Sequence, residues 1–214
     1  LACRNARKCS DAAGRIRAAA HGDVAVGERA ELRPDAEGRY VPRAVRVHPF
    51  QLDLSSFAST RRFAAEFRAR LGDARGLDVL VLNAGVMNPP HTVTGDGLEL
   101  QFQVNHAGHF LLARLLRGLL RRSAPSRVVV VSSVAHEFAP AGGVFLDAAS
   151  LNDAAAYDPP LWYANSKLCN VLFAQELSAR EQAHGVFVNH VNPGGVNTQL
   201  VHHTMGGMLA VLPE

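Results

Sequence analysis

Cysteine is scarce in this 214-residue chain, and its arrangement excludes more than its number. Cys3, Cys9 and Cys169 form an odd set without metal-ligand spacing, so they encode neither a disulfide framework nor a zinc site. A reducing compartment is expected, cytoplasmic or on the cytosolic face of a membrane. No apolar run reaches the ~20 residues of a membrane-spanning helix. The richest, 110–120, is broken by Arg114 and Arg117. Blocks of one charge sign are also missing. The net charge is +3, and the pairs Arg61-Arg62 and Arg121-Arg122 read as solvated helix faces, not as a nucleic-acid footprint. His106 and His109 are three apart and His202 and His203 adjacent, but no carboxylate or thiol completes a ligand set, so no metal is expected. There is no internal repeat and no coiled-coil pattern. An initiating methionine is absent too: the chain opens at Leu1 inside the apolar "LAC" and stops at Glu214 just after "MLAVL". A fragment is expected, whose lack of a leader peptide says nothing about targeting. Any membrane association would then come through segments outside it.

What is present is the composition of a globular domain. Apolar residues make up 48% of the chain, enough to bury a sizeable core, and a single domain over 1–214 is expected. Residues 1–3 read as the tail of a buried strand and 6–20 as an Ala/Arg-rich helix. Residues 21–44, rich in glycine, proline and charge, read as an exposed insertion. Strand character returns over 45–54. Ser55 is expected to cap a helix reaching about 71, with Phe57, Phe63 and Phe67 on its apolar side. Apolar strands follow at 77–85, 127–133 and 186–192, alternating with long helices at about 98–122 and 161–183. Strands that are apolar without alternation belong to a parallel sheet covered by helices on both faces. The fold class is therefore α/β, a doubly wound parallel sheet in three layers. Such sheets bind ligands beyond the carboxyl ends of their strands, where Asp53, Asn83, Ser133 and Asn192 fall.

Four residues stand out. Tyr163 and Lys167, in "LWYANSKLCN", lie four apart on one helical face. Alone, such a pair is more often a surface tyrosine covered by a lysine stem. Ser133 closes its strand and reads equally as a turn or capping residue. Asn105, in "VNHAG", and Gly108 weaken the middle of a helix without improving its packing, which asks for a functional reason.

Together, "NAG" (Asn83, Ala84, Gly85), "VNHAGHFLL" with Asn105, "VVVVSSVAH" with Ser133, "YANSK" with Tyr163 and Lys167, and "NPGGVNT" (192–198) resemble the ordered motifs of the short-chain dehydrogenases/reductases. The match runs over nearly the whole chain. "LACRN", "NHAGHFLLARLL" and "SKLCNVLFAQEL" are most similar to the retinol-dehydrogenase-like and WW-domain-containing oxidoreductase branch. The resemblance implies a Rossmann-type fold and hydride transfer between NADP(H) and an alcohol/carbonyl group of an apolar, retinoid-, steroid- or lipid-like substrate. Tyr163 would exchange the substrate proton, its phenolate favoured by the Lys167 ammonium. Lys167 would also hold the nicotinamide ribose, Ser133 the substrate oxygen, and Asn105 would bend its helix and order a water leading from Lys167 to solvent. Asp53 and Leu54 would meet the adenine, Asn83, Ala84 and Gly85 its ribose, and Pro193, Gly194, Val196 and Thr198 the nicotinamide. Arg4, after the first strand with no acid beside it, suits a 2′-phosphate, so NADP is expected, with NAD the alternative. A homodimer is compatible with the family.

The sequence departs from that family at its start. The glycine-rich turn that cradles the pyrophosphate is missing, since Gly14 and Gly22 do not fit it, and so is the strand before it. The chain as given is therefore expected to be inactive by itself. Two other readings stay open: a catalytically idle member serving as a binding or regulatory module, and a protochlorophyllide-reductase-like enzyme.

Overall fold

The computed structural model describes residues 2–20, 33–34, 40–41, 47–72 and 74–195. They belong to two compact units, Leu1–Asp53 and Leu54–Glu214, each taken by itself below.

In the first unit, β1 (Ala2–Cys3) runs parallel to β4 (Phe50–Gln51), Ala2 opposite Phe50 and Cys3 opposite Gln51. α1 (Ala6–Ala20) follows β1, and buries Cys9 and Ala13. Asn5 begins this helix, its side-chain oxygen accepting the Lys8 N–H at 3.0 Å. Ala2 is exposed, so the expected burial of the first strand does not hold there. Within the expected insertion, β2 (Arg33–Pro34) and β3 (Tyr40–Val41) pair antiparallel. The rest of that segment, 21–32, 35–39 and 42–44, lies outside the described residues.

The second unit is built on a parallel sheet in the order β5 (Val79–Leu82), β6 (Ser126–Val131), β7 (Val186–Val191). Val128 and Val130 of the central strand are fully buried, as an apolar run covered by helices requires. β5 departs from that pattern: among the described residues it pairs with β6 alone, and it leaves Val79 and Val81 48% and 56% exposed while Leu82 is fully buried.

α2 (Phe57–Leu71) precedes β5. Its cap is Ser56, not Ser55: Ser56 is extended (φ −138, ψ 117), and its side chain accepts the Ser59 N–H at 3.2 Å. Two adjacent hydroxyls made the positions indistinguishable in sequence. Phe63 is buried and stacks on Phe67, with ring centres 5.7 Å apart. α3 (Leu100–Phe102) passes through a π turn (Gln103–Ala107) into α4 (Gly108–Arg122) as one long helix linking β5 to β6. A short helix, α5 (Ala148–Leu151), precedes α6 (Pro159–Glu181). α6 starts two residues before the expected 161, with Asp158 as its cap, because prolines are accommodated in a first turn whose N–H groups have no helical partner.

The Arg121 guanidinium makes two hydrogen bonds, of 2.7 and 3.0 Å, to the buried Glu181 carboxylate. Arg121 thus pins α4 to α6 and is not the solvated helix face read from the sequence, although Arg122 is exposed. No helix among the described residues is long and apolar enough to cross a membrane.

Candidate active site

The site forms where β5 and β6 end. β6 delivers the Val131 carbonyl, then Ser132 and Ser133, and α6 runs back past them. The Ser132 hydroxyl donates to the Lys167 carbonyl at 2.8 Å, fixing the height of α6 against the strand end. Ser133 is extended and caps the short 3₁₀ turn Val134–Phe138, its side chain accepting the Ala135 N–H at 3.2 Å. It also hydrogen-bonds the Tyr163 side chain. The capping and functional readings of Ser133 are therefore compatible.

Tyr163 and Lys167 are both buried, and the Lys167 ammonium stands 5.5 Å from the centre of the Tyr163 ring. Nζ donates to the Val131 carbonyl at 3.2 Å. Burial pushes Lys167 down to about 8. Burial also pushes the Tyr163 phenol up, with the Ser133 hydrogen bond acting against it. The sequence reading had the ammonium drawing Tyr163 downward. Loss of water around the ring sets the direction, and the ammonium is directed at a main-chain carbonyl.

Asn105 is fully buried at the π turn, so the helix does change pitch at this amide. Its carboxamide clamps the loop after β5: Nδ2 donates to the Val86 carbonyl at 3.0 Å, and Oδ1 accepts the Val86 N–H at 2.8 Å. The second Nδ2 hydrogen goes to Ser166 Oγ at 3.0 Å. Gly85 lies against this arrangement. A Cβ there would stand 3.2 Å from Asn105 Oδ1 and 3.6 Å from Lys167 Nζ, so the glycine leaves room where the two meet. Gly108 has its own structural cause, contrary to the reading that it does nothing for packing. A Cβ on it would fall 2.7 Å from the Leu54 carbonyl oxygen.

The structure thus gathers Asn105, Ser133, Tyr163, Lys167 and Gly85. Asn83 and Ala84 are exposed at the end of β5, and Pro193 and Gly194 are exposed after β7. Gly194 adopts φ 74 and donates its N–H to Asn192 Oδ1 at 3.1 Å. Leu54 is buried at the start of the second unit. Arg4, exposed after β1, and Asp53, half-buried after β4, belong to the first unit. Val196 and Thr198, like His202 and His203, lie outside the described residues. Sequence reasoning passed over Ser166 and Asn170, one residue before and three after Lys167, which share its buried helical face. The clue available was a run of small and polar letters, "NSKLCN", in the middle of a long helix.

The model of the family described as short chain dehydrogenase matches residues 18–206. The chain belongs to that family. It is 40% identical to human retinol dehydrogenase 14 over 206 residues, covering 95% of this chain and 55% of the relative. With the WW domain-containing oxidoreductase of Danio rerio it shares 38% identity over 211 residues, 95% of this chain and 44% of that protein. Among solved structures it resembles the Pseudomonas aeruginosa RhlG/NADP active-site complex, with a TM-score of 0.62 and 25% identity over 96% of this chain and 64% of the other. The chain spans about half the length of these two curated relatives.

For a short-chain dehydrogenase the cofactor is a nicotinamide dinucleotide, and the residues present fit one. Lys167 makes one hydrogen bond among the described residues, leaving two N–H donors for ribose hydroxyls. Gly85 and Gly194 keep the strand ends clear of side chains, as close approach of a ligand to backbone demands.

Proposed function

We propose that the protein transfers hydride between NADP(H) and the alcohol/carbonyl group of an apolar substrate of retinoid, steroid or lipid type. The observation that carries this reading is the buried meeting of a phenol, hydrogen-bonded to Ser133, with an ammonium that keeps two donors open. Bound NADPH would supply the hydride. The remaining work falls to the chain's own groups.

Ser133 is oriented by accepting the Ala135 N–H, and its hydroxyl hydrogen, which meets the Tyr163 phenol here, can turn to the substrate oxygen, where charge develops. Tyr163, held protonated at neutral pH by burial, carries the proton that this oxygen takes up on carbonyl reduction. Lys167, brought to about 8, exchanges its proton near neutrality, as the next station of a relay must. Asn105, fixed at Val86 and Ser166, keeps the loop after β5 against the ammonium.

Exposed apolar residues in the chain segment that follows Ser133 support the substrate class. Val134, Phe138 and Leu146, in the segment after Ser133, are exposed by 51%, 71% and 61%. The names of the retinol dehydrogenase relatives support it too. Arg4, at the end of β1 with no acidic neighbour in "LACRNAR", suits a 2′-phosphate and supports NADP over NAD.

The test is reduction of retinal and of a small polar aldehyde by the complete protein, followed by loss of NADPH or NADH absorbance. Retinal reduced preferentially, with NADPH favoured roughly tenfold or more as a charge-assisted contact implies, is the expected result. Absence of turnover with either cofactor would overturn the enzymatic reading. A preference for NADH would overturn the role given to Arg4.

A further inference from the structure

We propose that Asn170 is a positioning residue of the reaction: its carboxamide ties the main-chain carbonyls of Asn105 and Val131 together and so fixes where the Lys167 ammonium stands beside Tyr163. The inference rests on the dehydrogenase reading above and adds a residue to it.

Asn170 lies three residues after Lys167 on α6, on the same side of the helix, and is buried. Its Nδ2 donates to the Asn105 carbonyl at 3.0 Å and to the Val131 carbonyl at 3.4 Å. Val131 is also the residue onto which Lys167 Nζ docks. The Asn105 carbonyl belongs to the π turn, where the Gly108 N–H reaches back five residues to Gln103. In that wide turn it accepts a second side chain as well, His109 Nδ1 at 3.0 Å.

The oxygen of Asn170 completes the set. Both Nδ2 hydrogens are used on carbonyls, so Oδ1 accepts, and its partner is His106 Nδ1 at 3.1 Å. His106 must therefore carry its proton on Nδ1. It is packed among Phe102, Phe110 and Phe173, with ring centres 5.3, 6.2 and 5.9 Å away. A primary amide satisfies all three partners at once. A carboxylate would face two carbonyl oxygens, and an aliphatic side chain would leave His106 Nδ1 without this partner and remove one donor each from the Asn105 and Val131 carbonyls, which would keep His109 and Lys167.

The consequence concerns Lys167. With one hydrogen bond among the described residues, the ammonium is only as well placed as Val131. Asn170 locks that strand end to the π turn, whose Asn105 side chain in turn holds the loop beside Gly85. Misplacement by about 1 Å away from the reacting atoms is enough to cost on the order of 10²-fold in rate.

The test is a double-mutant cycle in the complete protein with NADPH and retinal, using Asn170→Leu, Lys167→Met and the pair. Asn170→Leu is expected to lower kcat by about 10- to 100-fold while the KM for NADPH stays within about twofold. Once Lys167 is gone its further effect should be below about threefold, because the two act through one ammonium. Should Asn170→Leu fail to fold, Asn170→Ala, which removes the tie without adding bulk or charge, serves in the same cycle. An unchanged kcat, or an equal loss in both backgrounds, would make Asn170 a packing residue and overturn the proposal. Failure of the dehydrogenase reading looks different: either the unsubstituted protein has no turnover, or Lys167→Met alone has no effect.

Discussion

Lys167 holds an ammonium where water scarcely reaches it, and its partner is a main-chain carbonyl, not a carboxylate. Burial brings it to about 8, whereas a lysine in the unfolded chain titrates near 10.4. Between these values the unfolded chain binds more protons than the folded one, so this group makes stability rise with pH across that window. The charged form is a cost fully present below pH 8 and relieved as the proton leaves. Lys167→Met removes the group, so its stability advantage should be greatest below pH 8 and shrink toward pH 10.4, a change on the order of 3 kcal/mol. Denaturant unfolding of both proteins across that range measures it. The buried Cys169 thiol, pushed up to about 12, is common to both and cancels in the difference. Parallel stability curves would mean that Lys167 is not desolvated as the structure has it. At this scale the sequence spelled Tyr163 and Lys167 but not what holds them. The Val131 carbonyl comes from a strand 36 residues earlier, and a main-chain acceptor has no letter.

Among the elements, the long helix over Leu100–Arg122 shows why two neighbouring anomalies need separate causes. Asn105 sits in the π turn, and Gly108 follows because α4 passes close to the Leu54 backbone. Alanine is the better helix former by about 1 kcal/mol. At Gly108, however, its methyl would meet a carbonyl oxygen at 2.7 Å, which cannot move aside cheaply. Gly108→Ala should therefore destabilise by about 1–3 kcal/mol. Gly118→Ala, on the same helix with nothing within 4 Å of the added methyl, should stabilise by about 0.5–1 kcal/mol. Thermal unfolding of the two variants measures the difference, and equal effects would contradict the close approach at Leu54. Helical periodicity and strand composition made the helix over Leu100–Arg122, α6, β6 and β7 legible to within two residues. Contacts between distant segments were not legible: the Gly108–Leu54 approach and the Arg121–Glu181 pair both depend on which helices meet, and hydropathy patterns do not encode that.

For the molecule as a whole, the parallel order β5, β6, β7 turns three separate letters of sequence into one place. A loop after β5, a serine after β6 and a helix returning past both bring Gly85, Ser133 and Tyr163 to the same end of the sheet. The fold class and this convergence could be read in advance, because a parallel sheet puts every strand's carboxyl end on one side. The direction of the Tyr163 shift could not, since it depends on how far the surrounding packing excludes water. That proton is the centre of the proposed chemistry. The decisive measurement is kcat of Tyr163→Phe in the complete protein, with NADPH affinity measured beside it. Removal of the phenolic oxygen should leave the affinity near that of the unsubstituted protein and lower kcat by about 10²–10⁴-fold, the usual contribution of general acid catalysis. A kcat close to the unsubstituted value would show that the proton comes from elsewhere and would contradict the role of Tyr163.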